Sequence, residues 1–93
     1  MNIEWLPEAA RNLTTQIDWI AERDPWAAID VGDAIHDAVS RLGAYPTTGR
    51  PGRVTGTREL VVVGTPYVVV YRIERTVVLV LRILHGAQRW PPT

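Results

Sequence analysis

The sequence contains no cysteine and no lysine. Without cysteine there is no disulfide, no thiolate nucleophile and no Cys-based zinc site. Its absence fits a reducing, cytoplasmic setting. The sequence opens Met-Asn-Ile-Glu-Trp, with no basic n-region and no long apolar core, so no signal peptide is expected. The longest apolar runs, 60–63, 67–71 and 76–81, are too short to span a bilayer, so no membrane partner is expected. The two histidines, His36 and His85, lie far apart, which leaves no metal site in view. Gly43, Gly49, Gly52 and Gly56 are spaced like a flexible loop, and a phosphate cradle would need a following helix. No Ser-His-Asp set and no paired carboxylates appear, so no cofactor is expected.

What is present suits one domain, residues 1–93, with one small core. Net charge is zero, yet it is segregated. Residues 1–45 carry eight acids and three arginines, 3 − 8 = −5, and residues 46–93 carry seven arginines and two acids, 7 − 2 = +5. Such a split marks either a basic working face or two halves that attract each other. Every cationic chain is arginine, whose planar fork suits carboxylate and phosphate partners.

Residues 2–6 alternate polar and apolar, a short strand. Pro7 fits the first turn of a helix and Glu8 its positive end. Leu6, Ala10, Leu13, Ile17 and Ile20 then form an apolar stripe to about Arg23. Asp24 and Pro25 are an N-cap and a first helical residue. Ala28, Val31, Ile35, Ala38 and Leu42 form a second stripe, closed by Gly43 with Pro46 beyond. So short a link predicts an antiparallel helical hairpin. Residues 45–57 are a turn-rich loop carrying Arg50 and Arg53. Three β-branched runs follow: 58–63, 67–73 and 76–84. The fold class is α+β, in the order β-α-α-β-β-β: an N-terminal strand, a helical hairpin, then a three-stranded, mostly antiparallel sheet.

Within the last two strands, Tyr67, Val69, Tyr71 and Ile73 share one face, and Val77, Leu79, Leu81 and Ile83 another. These faces lack arginine and are expected to meet the helices. Arg72 and Arg82 then share the opposite face among valines, provided that the hairpin loop has three residues; two would break the match. An apolar sheet face with two arginines marks a partner site. Arg72 and Arg82 either bind an acidic partner or pair with Glu59 and Glu74. Arg89 and Trp90 are suited to an interface, unless Trp90 folds back on the sheet. Trp5, Trp19 and Trp26 are expected to be packing residues, and His36 to be solvated.

The segments Tyr71-Arg72-Ile73 and Arg82-Ile83-Leu84-His85-Gly86, followed by Arg89, resemble the C-terminal half of the RelE/ParE family of bacterial type II toxins. The strand start Arg58-Glu59-Leu60, the Tyr45-Pro46 and Gly-Arg-Pro loop, and the N-terminal pattern of a strand, Ala9, Leu13, Ile17 and Ile20 also fit, so the resemblance covers nearly the whole chain. It implies a toxin with a cognate antitoxin as partner. RelE-like members cleave mRNA on the ribosome, whereas ParE-like members are held to poison DNA gyrase.

RelE-like members carry an arginine where this chain has Val68, lysines on the preceding strand and a tyrosine near the C-terminus. This chain has none of these. A ribosome binder would also be strongly basic. The resemblance is therefore closer to ParE, with gyrase as the expected target and no sequence-specific nucleic-acid binding. Arg58, Arg72, Arg82, His85, Arg89 and Trp90 are the expected target- or antitoxin-binding residues. As a nuclease, the alternative, the chain would use His85, Arg72, Arg82 and Arg89, with His85 the general base or else a histidine bonded to backbone where the sheet ends. A third reading is a non-toxic binding module of the same fold.

Overall fold

The computed structural model describes residues 1–86 and 88–91. Strand β1 (Asn2–Trp5) leads into helices α1 (Pro7–Ala21) and α2 (Pro25–Arg41). Four strands follow: β2 (Arg50–Pro51), β3 (Arg58–Val61), β4 (Tyr67–Glu74) and β5 (Val77–His85). The sheet has five strands rather than the expected three, in the order β1-β5-β4-β3-β2. It gains one strand at each edge. β1 lies parallel to β5, with Ile3 opposite Val78, and the two residues of β2 pair with β3. A two-residue strand inside a Pro- and Gly-rich loop leaves no alternation to read. Among the described residues no helix is long and apolar enough to cross a membrane.

Asp24 caps α2 as expected, its carboxylate accepting the Ala27 N–H at 3.1 Å. The second stripe holds: Ala28, Ile35, Ala38 and Leu42 are buried, and Val39 joins them. The first stripe holds at Leu13 and Ile20, which pack against the core, but not at Ala10. Ala9 is fully buried while Ala10 is exposed. The count began at Leu6, which has extended backbone outside the helix and so does not set its phase. Leu13 is half-buried against the core. Trp5 packs on the core as well, but Trp19 and Trp26 are 57% and 78% exposed, at the tip of the hairpin rather than inside it.

The hairpin packs on one face of the sheet. Ala9, Ile35, Ala38, Val39 and Leu42 meet Val69, Tyr71, Val78, Val80 and Ile83 in one cluster. The expected face for β5 is thus half wrong. The β4–β5 turn has only two residues, Arg75 and Thr76, since Glu74 pairs with Val77. This puts Val78 and Val80 towards the helices and Leu79 away. The register then shifts, with Tyr71 opposite Val80 but Val70 opposite Arg82, so Leu81 is an inserted residue, a β-bulge. After it, Ile83 faces the helices and Arg82 faces out. Asn12 of α1 accepts the Ile83 N–H just beyond the bulge, at 3.3 Å.

Tyr71 ties the loop to the core. Its hydroxyl donates to the Pro46 carbonyl at 2.7 Å and accepts the Gly49 N–H at 2.9 Å. A Cβ on Gly49 would lie 2.6 Å from that oxygen, so only glycine fits. Tyr71→Phe should leave a buried N–H and a carbonyl without partners, costing about 1–3 kcal/mol. A thermal melt should show a loss of roughly 4–8 °C per kcal/mol, and an unchanged melting temperature would mean that water replaces the hydroxyl.

Candidate functional site

The sheet face away from the helices carries two features: an ionic clasp and a small apolar strip. Val70, Leu81 and Leu84 form the strip, flanked by Leu6 and Leu79, and Trp90 packs on it. The bulge supplies Leu81 to this face. The Arg82 guanidinium lies 5.2 Å from the Trp90 ring centroid, within cation–π range. Trp90 therefore folds back on the sheet. Its Nε1 is buried and has no acceptor among the described residues.

Glu59 is the clasp. It sits opposite Val70, which itself sits opposite Arg82, and is only 2% exposed. It accepts the Arg53 backbone N–H at 2.8 Å and the Arg53 Nε at 3.1 and 3.2 Å, and Arg50 Nη2 lies at 3.4 Å. Burial by itself would raise the carboxyl's pKa. The Arg53 amide and guanidinium, with Arg50, outweigh it and hold the group below its ordinary value. Arg53 also donates to the Gln88 carbonyl at 3.3 Å. One arginine thus links the loop, β3 and the tail.

A carboxyl depressed in the folded state stabilises the fold above its unfolded pKa, and that contribution is lost as pH falls through the folded value. The wild type should therefore melt higher than Glu59→Gln at neutral pH, and the gap should close below about pH 4, near the ordinary glutamate value. Parallel melts from pH 7 to pH 3 check this; a constant gap would mean that Glu59 does not titrate with folding.

The expected site residues divide between the two faces. Arg72 and Arg82 share the outer face, although Arg72 is engaged by Glu74 at 2.6 Å. That pair is about half exposed on both sides and so contributes little. Trp90 stands against Arg82, and Arg89 is exposed nearby in sequence. His85 lies on the helix side, opposite Tyr67, with ring centroids 5.8 Å apart and nearly perpendicular. Both rings line a groove of 470 Å³ with Gln16, Trp19, Ile20 and Val31. The Tyr67 hydroxyl is 3.5 Å from Gln16 Oε1, and burial pushes its phenol up. Arg58 is committed to the loop, donating to the Gly49 and Thr47 carbonyls at 2.8 and 3.3 Å.

Sequence reasoning missed Arg53, Arg50 and Glu59 as a unit. The signal was available: Glu59 and Glu74 are the two acids among seven arginines in residues 46–93, and an acid on a strand flanked by such a loop needs a cation when buried.

A model of the ParE toxin of the type II toxin–antitoxin system parDE matches residues 3–90. A putative toxin, Y4kP, from Sinorhizobium fredii is 44% identical over 89 residues, covering 96% of this chain and 92% of that one. Toxin RelE2 from Caulobacter vibrioides is 36% identical over 86 residues, covering 92% of this chain and 96% of its own. A solved structure, described as the chromosomal ParDE toxin–antitoxin system from P. aeruginosa, superposes with a TM-score of 0.82 at 27% identity, covering 91% of this chain and 95% of that one.

Proposed function

The chain belongs to the ParE toxin family of type II toxin–antitoxin systems, and from that premise we propose that it poisons DNA gyrase and is silenced by a cognate antitoxin. The observation that carries the target reading is the division of candidate residues across the sheet. An RNA-cleaving centre needs its base and its phosphate-binding cations within reach of one phosphodiester. His85 lies on the helix side, and Arg72 and Arg82 lie on the other. Val68, at the place where RelE-like members carry arginine, is buried and apolar. What the outer face presents is Arg72, with Arg82 and Trp90 half-buried over the apolar strip, residue types suited to protein partners. The antitoxin's C-terminal segment would wrap the helical hairpin and the sheet, ordering as it binds.

The rival is ribosome-dependent mRNA cleavage, favoured by the RelE names of the Caulobacter relatives. Expression of the chain in a bacterial host without antitoxin separates the two. The expected result is growth arrest with induction of the DNA-damage response and intact transcripts. Arrest with rapid mRNA cleavage at codon positions would replace the gyrase reading with the nuclease one. Normal growth at verified expression would leave a non-toxic binding module.

A further inference from the structure

The acidic half of the chain finds no cation in the basic half. Its ion pairs, Arg11 with Glu8 and Arg23 with Glu22, are local to the hairpin. Those of the basic half join Arg50 and Arg53 to Glu59 and Arg72 to Glu74. Among the described residues no arginine reaches the side chains of Asp18, Asp30, Asp33 or Asp37, and all four are exposed. The negative charge of the hairpin therefore faces solvent. A surface of one sign attracts partners of the opposite sign and repels its like.

An apolar groove runs between these acids. It measures 410 Å³, lies between α1 and α2, and is lined by no strand residue. Leu13, Ile17, Ala28 and Ile29 line it, with the exposed Asp18 and Asp33 beside them. Ile29 is 54% exposed, and Trp26, one turn before it on α2, is 78% exposed. Gly32 keeps the groove open. A glycine within a helix weakens it relative to alanine, and nothing in the fold requires this one. Its backbone is not in the left-handed region, and a Cβ there would stand 3.7 Å from Ile17 Cδ1, an ordinary contact. What a side chain at this position would remove is the space in the groove.

We infer that this groove docks a basic amphipathic helix of the toxin's target, with an aliphatic side chain entering beside Gly32 and lysines or arginines meeting Asp18 and Asp33. The assignment rests on the gyrase half of the proposed function. An enzyme that grips duplex DNA does so by neutralising phosphates with lysine and arginine, so its DNA-facing surfaces carry the charge that complements this hairpin. A helix that sets aliphatic and cationic residues at three- and four-residue steps matches an apolar groove with acids on its rim. Charge also sets the other occupants aside. The hairpin of a second copy would bring acids against acids. The arginines of its sheet half are engaged at home, Arg53 by Glu59, Arg58 by loop carbonyls, Arg72 by Glu74 and Arg82 over Trp90. An antitoxin segment that complements the arginine-rich half is acidic, and these aspartates repel it.

Gly32→Leu closes the groove without changing its charge. It also removes a helix-weakening glycine, so it should melt no lower than wild type. Asp18→Lys with Asp33→Lys reverses the rim at two exposed positions and keeps the question open should the leucine variant fail to fold. Full-length chains would be titrated by calorimetry against purified gyrase holoenzyme and, separately, against the cognate antitoxin, at low and at physiological salt. Circular dichroism checks the fold. Each variant should bind gyrase about tenfold or more weakly and the antitoxin within about twofold of wild type. The charge reversal should also flatten the salt dependence of gyrase binding. Folded variants that bind gyrase as wild type does would overturn the groove assignment and leave the gyrase reading standing. A wild-type chain that does not bind gyrase would overturn both. Loss of antitoxin binding, alone or together with gyrase binding, would give the groove to the antitoxin and overturn the assignment. A wild-type dimer abolished by Gly32→Leu would give it to a second copy, with the same consequence.

Discussion

Ile35→Asp is expected to yield no cooperatively folded protein. Ile35 is fully buried, midway along α2, in the cluster that joins the helical hairpin to β4 and β5. Removing its aliphatic atoms alone costs about 2–5 kcal/mol. The carboxyl that replaces them has no cation nearby in that cluster, and burying it unpaired costs several kcal/mol more, whether it stays charged or takes up a proton. Small domains have net stabilities towards the lower part of about 5–15 kcal/mol. The two losses together reach or exceed that margin. Ile35→Val is the control, expected to cost about 0.5–1.5 kcal/mol and to keep a single transition. Far-UV circular dichroism with a thermal scan reads both variants. A sharp transition in the aspartate variant would show that the hairpin does not close on the sheet at this position.

The second large effect is functional. Arg72→Ala with Arg82→Ala should abolish or strongly reduce growth inhibition while the fold survives. Arg72 gives up only a half-exposed pair with Glu74. Arg82 gives up its position over Trp90 and a bond to the Leu81 carbonyl, both on the face away from the main core. The stability loss should stay near 1 kcal/mol. Arginines at the centre of protein contacts are worth about 2 kcal/mol or more each, so target affinity should fall by well over about tenfold. The readout is colony formation on induction, beside a melt of the purified variant. Undiminished killing by a folded double variant would remove the outer face from the toxic mechanism.

The elements were legible because their signals are local. The Asp24-Pro25 start, the Ala28-to-Leu42 stripe and the β-branched runs each depend on a few neighbouring residues. The family resemblance was legible for a different reason, since it rests on an ordered set of short segments along the chain. What escaped was set by contacts distant in sequence. The five-strand sheet depends on β1 finding β5 across some seventy residues, a pairing that no local pattern announces. The facing of β5 depended on turn length, and the two-residue turn broke the assumed parity. Leu79 consequently faces away from the helices, and Leu81 is buried, but under Trp90 rather than under them. Arg72 and Arg82 still share a face as expected, because the bulge reverses the error that the turn introduced. Of the candidate site, the arginines and Trp90 were visible as residue types. Their separation from His85 was not, since it needs the register of the whole hairpin.

That extra residue in β5 bears on which changes of chain length the fold can absorb. Loss of Leu81 alone would bring Val80 and Arg82 into regular succession, each still opposite its present neighbour in β4. Such a deletion would sacrifice one leucine's packing and leave every later residue in phase. The same loss within β4, where no residue is spare, would turn everything beyond it to the wrong face. A lineage could therefore shorten one arm of this hairpin freely and the other hardly at all.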